Sequence, residues 1–389
     1  MSPVSPRKRD YIMINFNNAG CSNLVKSTFD IISEVTLLER DHCGYDVARK
    51  YEKEMNDFYN NASKLINCHK DEVAFTQSST QGWQLILESL DLAAGDEILY
   101  DSFEYSSNYL YLLKMSKEIG VKLIEVDKDA QRKMSIKDLK KKISNKTKLI
   151  SIVDIPTCLG LRNNTKEIIE VTSAHGILSL VDACQSIGNV KTDVKEMNCD
   201  FLVASGRKFL RAPRGTGLLY AKESSTKHIL SRFIDLRSAH WDSPDDYQYA
   251  TKSAKRFELW EQSTSLKLGM SAAIKSALDV GIDNIQNKNQ SLLKKIEDEI
   301  SSFSSCRIFE KSEDSYYFMT LDITNLNNNL LCEKLFNQGI STSTSKEIHS
   351  RLNSDFKQTP SKLRVSPHYY NTDLDVEDFA KKLHSLING

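Results

Sequence analysis

Two stretches decide the fold: "SLVDACQS" (residues 179–186) and "DFLVASGRKFLRAPRGTGLLY" (200–220). Each is a short apolar run that stops at an ionisable or hydroxyl side chain. Runs of that length, bounded by turn residues, predict strands buried on both faces. Further β-rich runs stand outward from them at 71–76, 97–101, 122–126 and 148–154, and the quoted stretches supply 178–182, 201–204 and 217–221. Amphipathic helical segments such as 82–92 and 108–119 lie between. Strands alternating with helices predict an α/β fold, a mostly parallel central sheet sandwiched by helices. Past about residue 255 the pattern changes. Helical stretches at 265–282 and 289–303 precede a strand at 316–323, a helix at 330–338, a strand at 363–366 and a final helix at 374–387. The expected division is an N-terminal segment over the site (1–25), a large domain (26–255) and a smaller C-terminal α+β domain (256–389).

Composition narrows the function classes. The 389 residues carry 52 basic and 52 acidic side chains, a formal net charge of zero. A reader of nucleic-acid phosphates needs a basic excess, so no nucleic-acid partner is expected. The Lys-rich stretch at 137–148 reads as a solvated helix face. No apolar run reaches the roughly 20 residues of a membrane span, and the basic, Pro-containing start lacks the apolar core of a secretory signal. Eight cysteines occur without a C-x-x-C pair and eight histidines without H-E-x-x-H. That pattern predicts reduced thiols in the cytoplasm and no metal site.

In open α/β sheets, ligands bind at the carboxyl ends of strands. Three such ends carry chemistry. In "VAFTQSSTQGWQ" (73–84) a strand gives way to Ser78, Ser79 and Thr80 at a helix start. That is a plain cap taken alone, or an anion cup if something negative sits there. In "SLVDACQS", Asp182 closes an apolar strand, where a carboxylate needs a cation or strong donors. Gln185 points the same way. In the third stretch, Lys208 follows a strand end, and a lysine in a cleft can lose its proton and form a Schiff base. A phosphate cup, a carboxylate for a ring nitrogen and an amine for an aldehyde are together the parts of a pyridoxal 5'-phosphate site.

With these motifs the chain resembles the class V aminotransferase group of the fold-type I pyridoxal phosphate enzymes, from "INFNNAG" at residue 14 to "LRVSPHYYNTDLDVEDF" ending at 379. The resemblance implies the following roles. Lys208 is the catalytic Schiff-base lysine. Asp182 is the partner of the ring nitrogen, and Gln185 the donor to the ring hydroxyl oxygen. Ser79, Thr80, Ser205 and Arg207 hold the phosphate. Tyr105 of "FEYSSN" stacks on the ring, where relatives often have His, and Thr157 of "IPTCLG" lies beside it. Arg364 of "KLRVSP" clamps the substrate carboxylate, and Asn18, Ala19 and Gly20 form the loop over the site, with Asn18 a substrate contact. Two departures matter. Cysteine desulfurases of the group carry a nucleophilic Cys on a loop shortly before this Arg, whereas residues 339–363 contain none; Cys332 reads as core. In "RFELWEQST", Trp260 and Glu261 replace the Gly-Thr with which relatives reach a partner subunit.

Within the group, the motifs look most like the subgroup of hercynylcysteine sulfoxide lyases and epimerase-like proteins, akin to isopenicillin N epimerase. The implied activity is attack at the α-carbon of an amino acid, with C–S β-elimination first. Aminotransferase or epimerase activity is the alternative, and desulfurase or selenocysteine lyase activity is disfavoured by the missing loop Cys. A homodimer is implied. Tyr45, Cys21 and His368 are candidate second acids.

Overall fold

The computed structural model describes residues 13–227, 229–310, 316–324, 326–353 and 361–388; residues 1–12 of the expected N-terminal segment lie outside them. The seven strands expected from the sequence form one sheet. They are β1 (Val73–Thr76), β2 (Glu97–Asp101), β3 (Lys122–Val126), β4 (Thr147–Val153), β5 (Leu178–Asp182), β6 (Phe201–Ser205) and β7 (Gly217–Ala221). Their spatial order is β1-β7-β6-β5-β4-β2-β3. Neighbours from β3 through β6 pair in parallel, and β7 runs antiparallel to both β6 and β1. The reversal has a simple cause. Residues 206–216 between β6 and β7 are too few for the helical crossover that a parallel pair needs.

Successive residues face opposite sides, as the two-residue period of a strand requires. Leu99, Val181, Leu202 and Leu218 enter the apolar cluster on one face. Their neighbours Ile98, Leu180, Phe201 and Leu219 enter the cluster on the other. The charged strand ends therefore have only the carboxyl edge to occupy.

A second sheet holds β8 (Cys306–Ile308), β9 (Met319–Ile323), β10 (Ser343–Lys346) and β11 (Ser361–Val365), all antiparallel in the order β8-β9-β11-β10. Strand β10, in the polar run "STSK", is not anticipated by hydrophobic alternation; nor is the hairpin Ala239–Ser243/Asp246–Tyr249. The helix Thr264–Val280, assigned from sequence to the C-terminal unit, packs on helices Lys26–Asp41 and Glu52–Ile66, and its Met270 and Ile274 join the core of the larger sheet. Along helix Ile282–Ile300, Ile285 belongs to that core while Leu292 and Ile296 belong to the smaller sheet's. This favours a division inside that helix over one at residue 255.

The "RFELWEQ" motif works as an anchor. Buried Glu258 accepts hydrogen bonds from the Phe75 N–H (2.8 Å), the Tyr59 hydroxyl (2.8 Å), the Gln262 amide (2.8 Å) and the Lys267 ammonium (3.4 Å). Burial lowers the Lys267 pKa to about 8, against the pull of Glu258. Replacing Glu258 by Leu removes the only carboxylate among these partners, leaves the buried ammonium with just the Tyr59 hydroxyl and Gln262 oxygen, and should cost about 3–5 kcal/mol. Chemical unfolding of the purified protein measures it, and a loss below about 1 kcal/mol would refute the anchor role.

Candidate active site

The sheet register gathers the expected residues. Asp182 ends β5 opposite Val203 of β6, Ser205 pairs with Gly217, and Gly217 pairs with Thr76. The carboxyl ends of β1, β5 and β6 thus meet at one point. Gly217 is required there: a Cβ on it would stand 2.6 Å from the Thr76 hydroxyl and from the Ser78 carbonyl carbon. Beside it, Ser78 caps helix Ser79–Ser89 by accepting from the Gln81 N–H (3.1 Å). Ser79 and Ser205 hydroxyls are 3.0 Å apart.

These groups enclose a cavity of about 100 Å³. Seven expected residues open onto it: Ser79, Thr80, Tyr105, Asp182, Ser205, Arg207 and Lys208. Lys208 is only 7% exposed, and burial lowers its pKa; Cys184 and Asp182 act to raise it, Arg207 and Arg364 to lower it. A neutral amine is therefore more accessible than on a solvated lysine. Arg207 donates to the Gly20 carbonyl, which ties the N-terminal loop to the cavity wall.

Asp182 is held from behind. Its Oδ1 accepts from the Cys184 N–H (3.0 Å) and its Oδ2 from the Asn108 amide (3.2 Å). The same Asn108 nitrogen donates to Glu104 (2.9 Å), whose other oxygen accepts from the Ser151 hydroxyl (2.6 Å). Glu104, Asn108 and Ser151 are not singled out in the sequence. The available signal is the i, i+4 spacing of Glu104 and Asn108 around Tyr105 in the quoted motif.

A second group lies on the opposite wall. Arg364, on β11, donates through Nη1 to the Thr157 carbonyl (2.9 Å) and hydroxyl (3.1 Å), and through Nη2 to Asn17 (3.4 Å). Its buried Nε has no partner. Burial lowers the Arg364 pKa to about 10, so the side chain stays cationic at neutral pH. Gln185 donates to the Ala19 carbonyl (3.1 Å) and the Thr157 hydroxyl (3.2 Å), which leaves its buried Oε1 unpaired. Thr157 thus joins Arg364 to Gln185.

Asn18, Cys332 and His368 are each held by the protein itself. Asn18 has no free polar group: its amide donates to the Asn15 and Ser366 carbonyls (3.0 and 2.8 Å) and its oxygen accepts from the Tyr370 hydroxyl (2.6 Å). It fastens the loop, and Asn17 is the neighbour that reaches Arg364. Cys332 packs at the edge of the smaller sheet's core, because Leu331 and Leu335 take the inner positions of helix Asn328–Asn337; it also lines a cavity with Arg364. His368, a candidate acid, is fully buried. Its Nε2 donates to the Phe209 carbonyl (2.8 Å), and burial lowers its pKa to about 3. The other candidates also stand apart. Tyr45 is 72% exposed and faces a separate depression with Arg237 and Trp260, and the Cys21 thiol lies against the Ser22 carbonyl (3.7 Å).

A parallel sheet with one antiparallel strand, and an amine and a carboxylate at one end of it beside a helix N-terminus, define a fold-type I pyridoxal phosphate enzyme. The class-V aminotransferase family model matches residues 14–379, and the chain belongs to that family, whose cofactor is pyridoxal 5'-phosphate. Among curated proteins, a "Probable cysteine desulfurase" of Halalkalibacterium halodurans is 27% identical over 80% of this chain and 77% of its own length. One of Methanothermobacter thermautotrophicus is 24% identical over 88% and 86%. Among solved structures, a cysteine desulfurase from Thermococcus onnurineus superposes with a TM-score of 0.89 over 100% of both chains at 21% identity. The cystine C-S lyase C-DES, bound to its product cysteine persulfide, does so at 0.86 over 96% of this chain and 97% of that one at 17% identity.

The buried acids give a pH prediction. Burial raises the Glu104 pKa from the 4.5 of an ordinary glutamate to about 7, with Asp182 and Asp101 adding to it. The folded state then binds more protons than the unfolded one between those values, so stability falls as pH rises through that window. Burial raises Asp101 to about 6 and Glu310 to about 7, with the same sign. Glu104→Gln removes one share: cofactor-free variant and wild type should match near pH 4, and the variant should be more stable by about 1–3 kcal/mol at pH 8. Parallel stability–pH curves for the two proteins would disprove it.

Proposed function

We propose that this family member is a C–S β-lyase acting on a cysteine-derived amino acid, held as a cytoplasmic homodimer. Support begins with the fit to the cofactor. Ser79, Thr80, Ser205 and Arg207 offer hydroxyls, helix N–H groups and a guanidinium to its phosphate. Asp182, fixed by Asn108 and Cys184, would face the ring nitrogen. Lys208 would hold the aldehyde and Tyr105 would cover a ring face. The resemblance makes Gln185 a donor to the ring hydroxyl oxygen, but its amide N–H groups are given to Ala19 and Thr157; its unpaired Oε1 would instead accept from a protonated ring hydroxyl. When bound, the cofactor withdraws electrons from the substrate α-carbon and makes its C–H bond acidic.

The chain's own groups do the rest. Arg364, whose buried Nε has no partner and whose Nη2 keeps a second hydrogen besides the one given to Asn17, would receive the α-carboxylate in a two-pronged pair. That would fix the α C–H bond toward Lys208, whose Nζ, freed when the substrate amine takes its place at the aldehyde and favoured by burial in its neutral form, would accept the proton. The C–S bond then breaks and sulfur leaves with the electron pair, toward the cavity beyond Arg364. Hydrolysis of the released enamine gives pyruvate and ammonia.

One observation carries the lyase reading over a desulfurase. The thiols in that cavity's wall are Cys158 and Cys332. Burial raises both, Cys158 to about 11, so neither is a thiolate at neutral pH able to take up the sulfur. The family relatives named for desulfurization keep the alternative in view, as do transamination and epimerisation, which begin with the same proton removal. For the homodimer, Phe233, Leu236, Trp241 and Trp260 are exposed large apolar side chains, and Trp260 lines the Tyr45 depression. Sedimentation reads it directly, and a monomer at micromolar concentration would remove that part.

An amino-acid panel tests the chemistry. The holoenzyme should absorb near the visible edge, and borohydride should fix the cofactor's mass on Lys208. Cysteine conjugates should release pyruvate and ammonia, and Lys208→Ala should lose about 10³-fold or more of that rate. Alanine with a persulfide on Cys332, abolished by Cys332→Ser, would establish desulfurization instead. Amine transfer to a keto acid without pyruvate would establish an aminotransferase. Inversion without any released product would mean an epimerase.

A further inference from the structure

Beyond Arg364 lies a cavity of about 560 Å³ that shares Tyr105 with the Lys208 cavity and has Thr157 and Arg364 in its wall. A substrate whose carboxylate sits on Arg364 has this cavity beside it to take its side chain. The space exceeds what a cysteine side chain fills and suits a larger conjugate.

Its wall is unusual for a protein interior. The run Thr342–Ser345 contributes four consecutive hydroxyl residues, three of them on β10, and Asn329 adds an amide. The Thr344 hydroxyl donates to Asn329 (3.0 Å). Ser345 is buried, and its hydroxyl, like Arg364 Nε, has no partner. With the α-carboxylate on Arg364, an apolar side chain would still leave the Ser345 hydroxyl unsatisfied, which is the costly case for a buried polar group. The charges are one-sided. Lys346 and His349 face the cavity along with Arg364, and no carboxylate is among the described lining residues. Lys346 forms no ion pair among the described residues.

We propose that this cavity selects S-substituted cysteines whose substituent ends in an anionic oxygen group, with Ser345 and Lys346 as specificity-determining residues. The proposal rests on the lyase reading for its reaction, and names the class of substrate. Ser345 donates to an oxygen inside the cavity, and Lys346 supplies the counter-charge at its mouth.

Three cysteine thioethers of matched length test it: S-(2-carboxyethyl)cysteine, S-propylcysteine and S-(2-aminoethyl)cysteine. Binding is read from the change in the holoenzyme's cofactor absorbance, and turnover from pyruvate. The carboxyethyl compound should bind about five- to tenfold more tightly than the propyl one, and the aminoethyl compound more weakly than either. Lys346→Glu, at an exposed position that leaves folding intact, should invert the order of the two charged compounds. Ser345→Ala should reduce only the carboxyethyl preference. Equal binding of the three, or an unchanged order in Lys346→Glu, overturns the proposal and leaves the lyase reading untouched. The expected order without pyruvate supports the cavity's selectivity and sinks the lyase reading.

Discussion

A lysine amine buried beside an aspartate at the edge of a sheet is the constraint on which the rest of this molecule turns. Burial disfavours the charged lysine, and the nearby Asp182 carboxylate favours it. The balance is useful only if both groups are held still, because each would otherwise relax toward water or toward the other. The protein secures Lys208 through the short loop that forces β7 to run backward, and Asp182 through donors behind it. The antiparallel strand is thus tied to the chemistry. It returns the chain across the same edge, and its first residue, Gly217, lets the Ser78 backbone approach closely.

The network behind Asp182 extends this logic inward. Asn108 gives one nitrogen to two carboxylates, Asp182 and Glu104, which keeps the acids apart while binding both. Glu104 is where burial and like charge are concentrated, and it bears a raised pKa that costs stability as the pH rises. A stability cost located next to a site is a recurring property of buried polar machinery.

How much of this is legible in the sequence follows from what each residue violates. Asp182 ends one apolar strand and Lys208 closely follows another, places where ionisable groups are expensive, so their presence signals a site. The seven strands of the large sheet are legible because burial on both faces makes them continuous apolar runs. Strand β10 is not, because its residues face a polar cavity on one side and lack alternation. Asn17 and Asn18 look alike in sequence; which of them faces Arg364 depends on a bridge between Asn17 and Ser366 that only the folded chain supplies. His368 and its aromatic neighbours suggest chemistry by composition, yet the ring is spent on a backbone carbonyl.

The two walls of the site also differ in kind. The wall on the large sheet is backbone-determined: register, a capped helix and glycines leave little freedom for the side chains there. The opposite wall joins Arg364 on the small sheet to Thr157 in the turn that follows β4 of the large one, and Gly160 packs so close to Phe318 that a Cβ would stand 2.0 Å from its carbonyl oxygen. The sheets therefore meet without room to slide at that point, which fixes the distance between the Arg364 guanidinium and the Lys208 amine. Past this junction the wall is built from side chains of β10 and the Asn328–Asn337 helix, whose identities the backbone does not constrain. Changing Ser345 or Lys346 alters what is bound while the reacting centre keeps its geometry. In such a construction the bond broken at the α-carbon is set by the large sheet, and the choice of side chain by the small one.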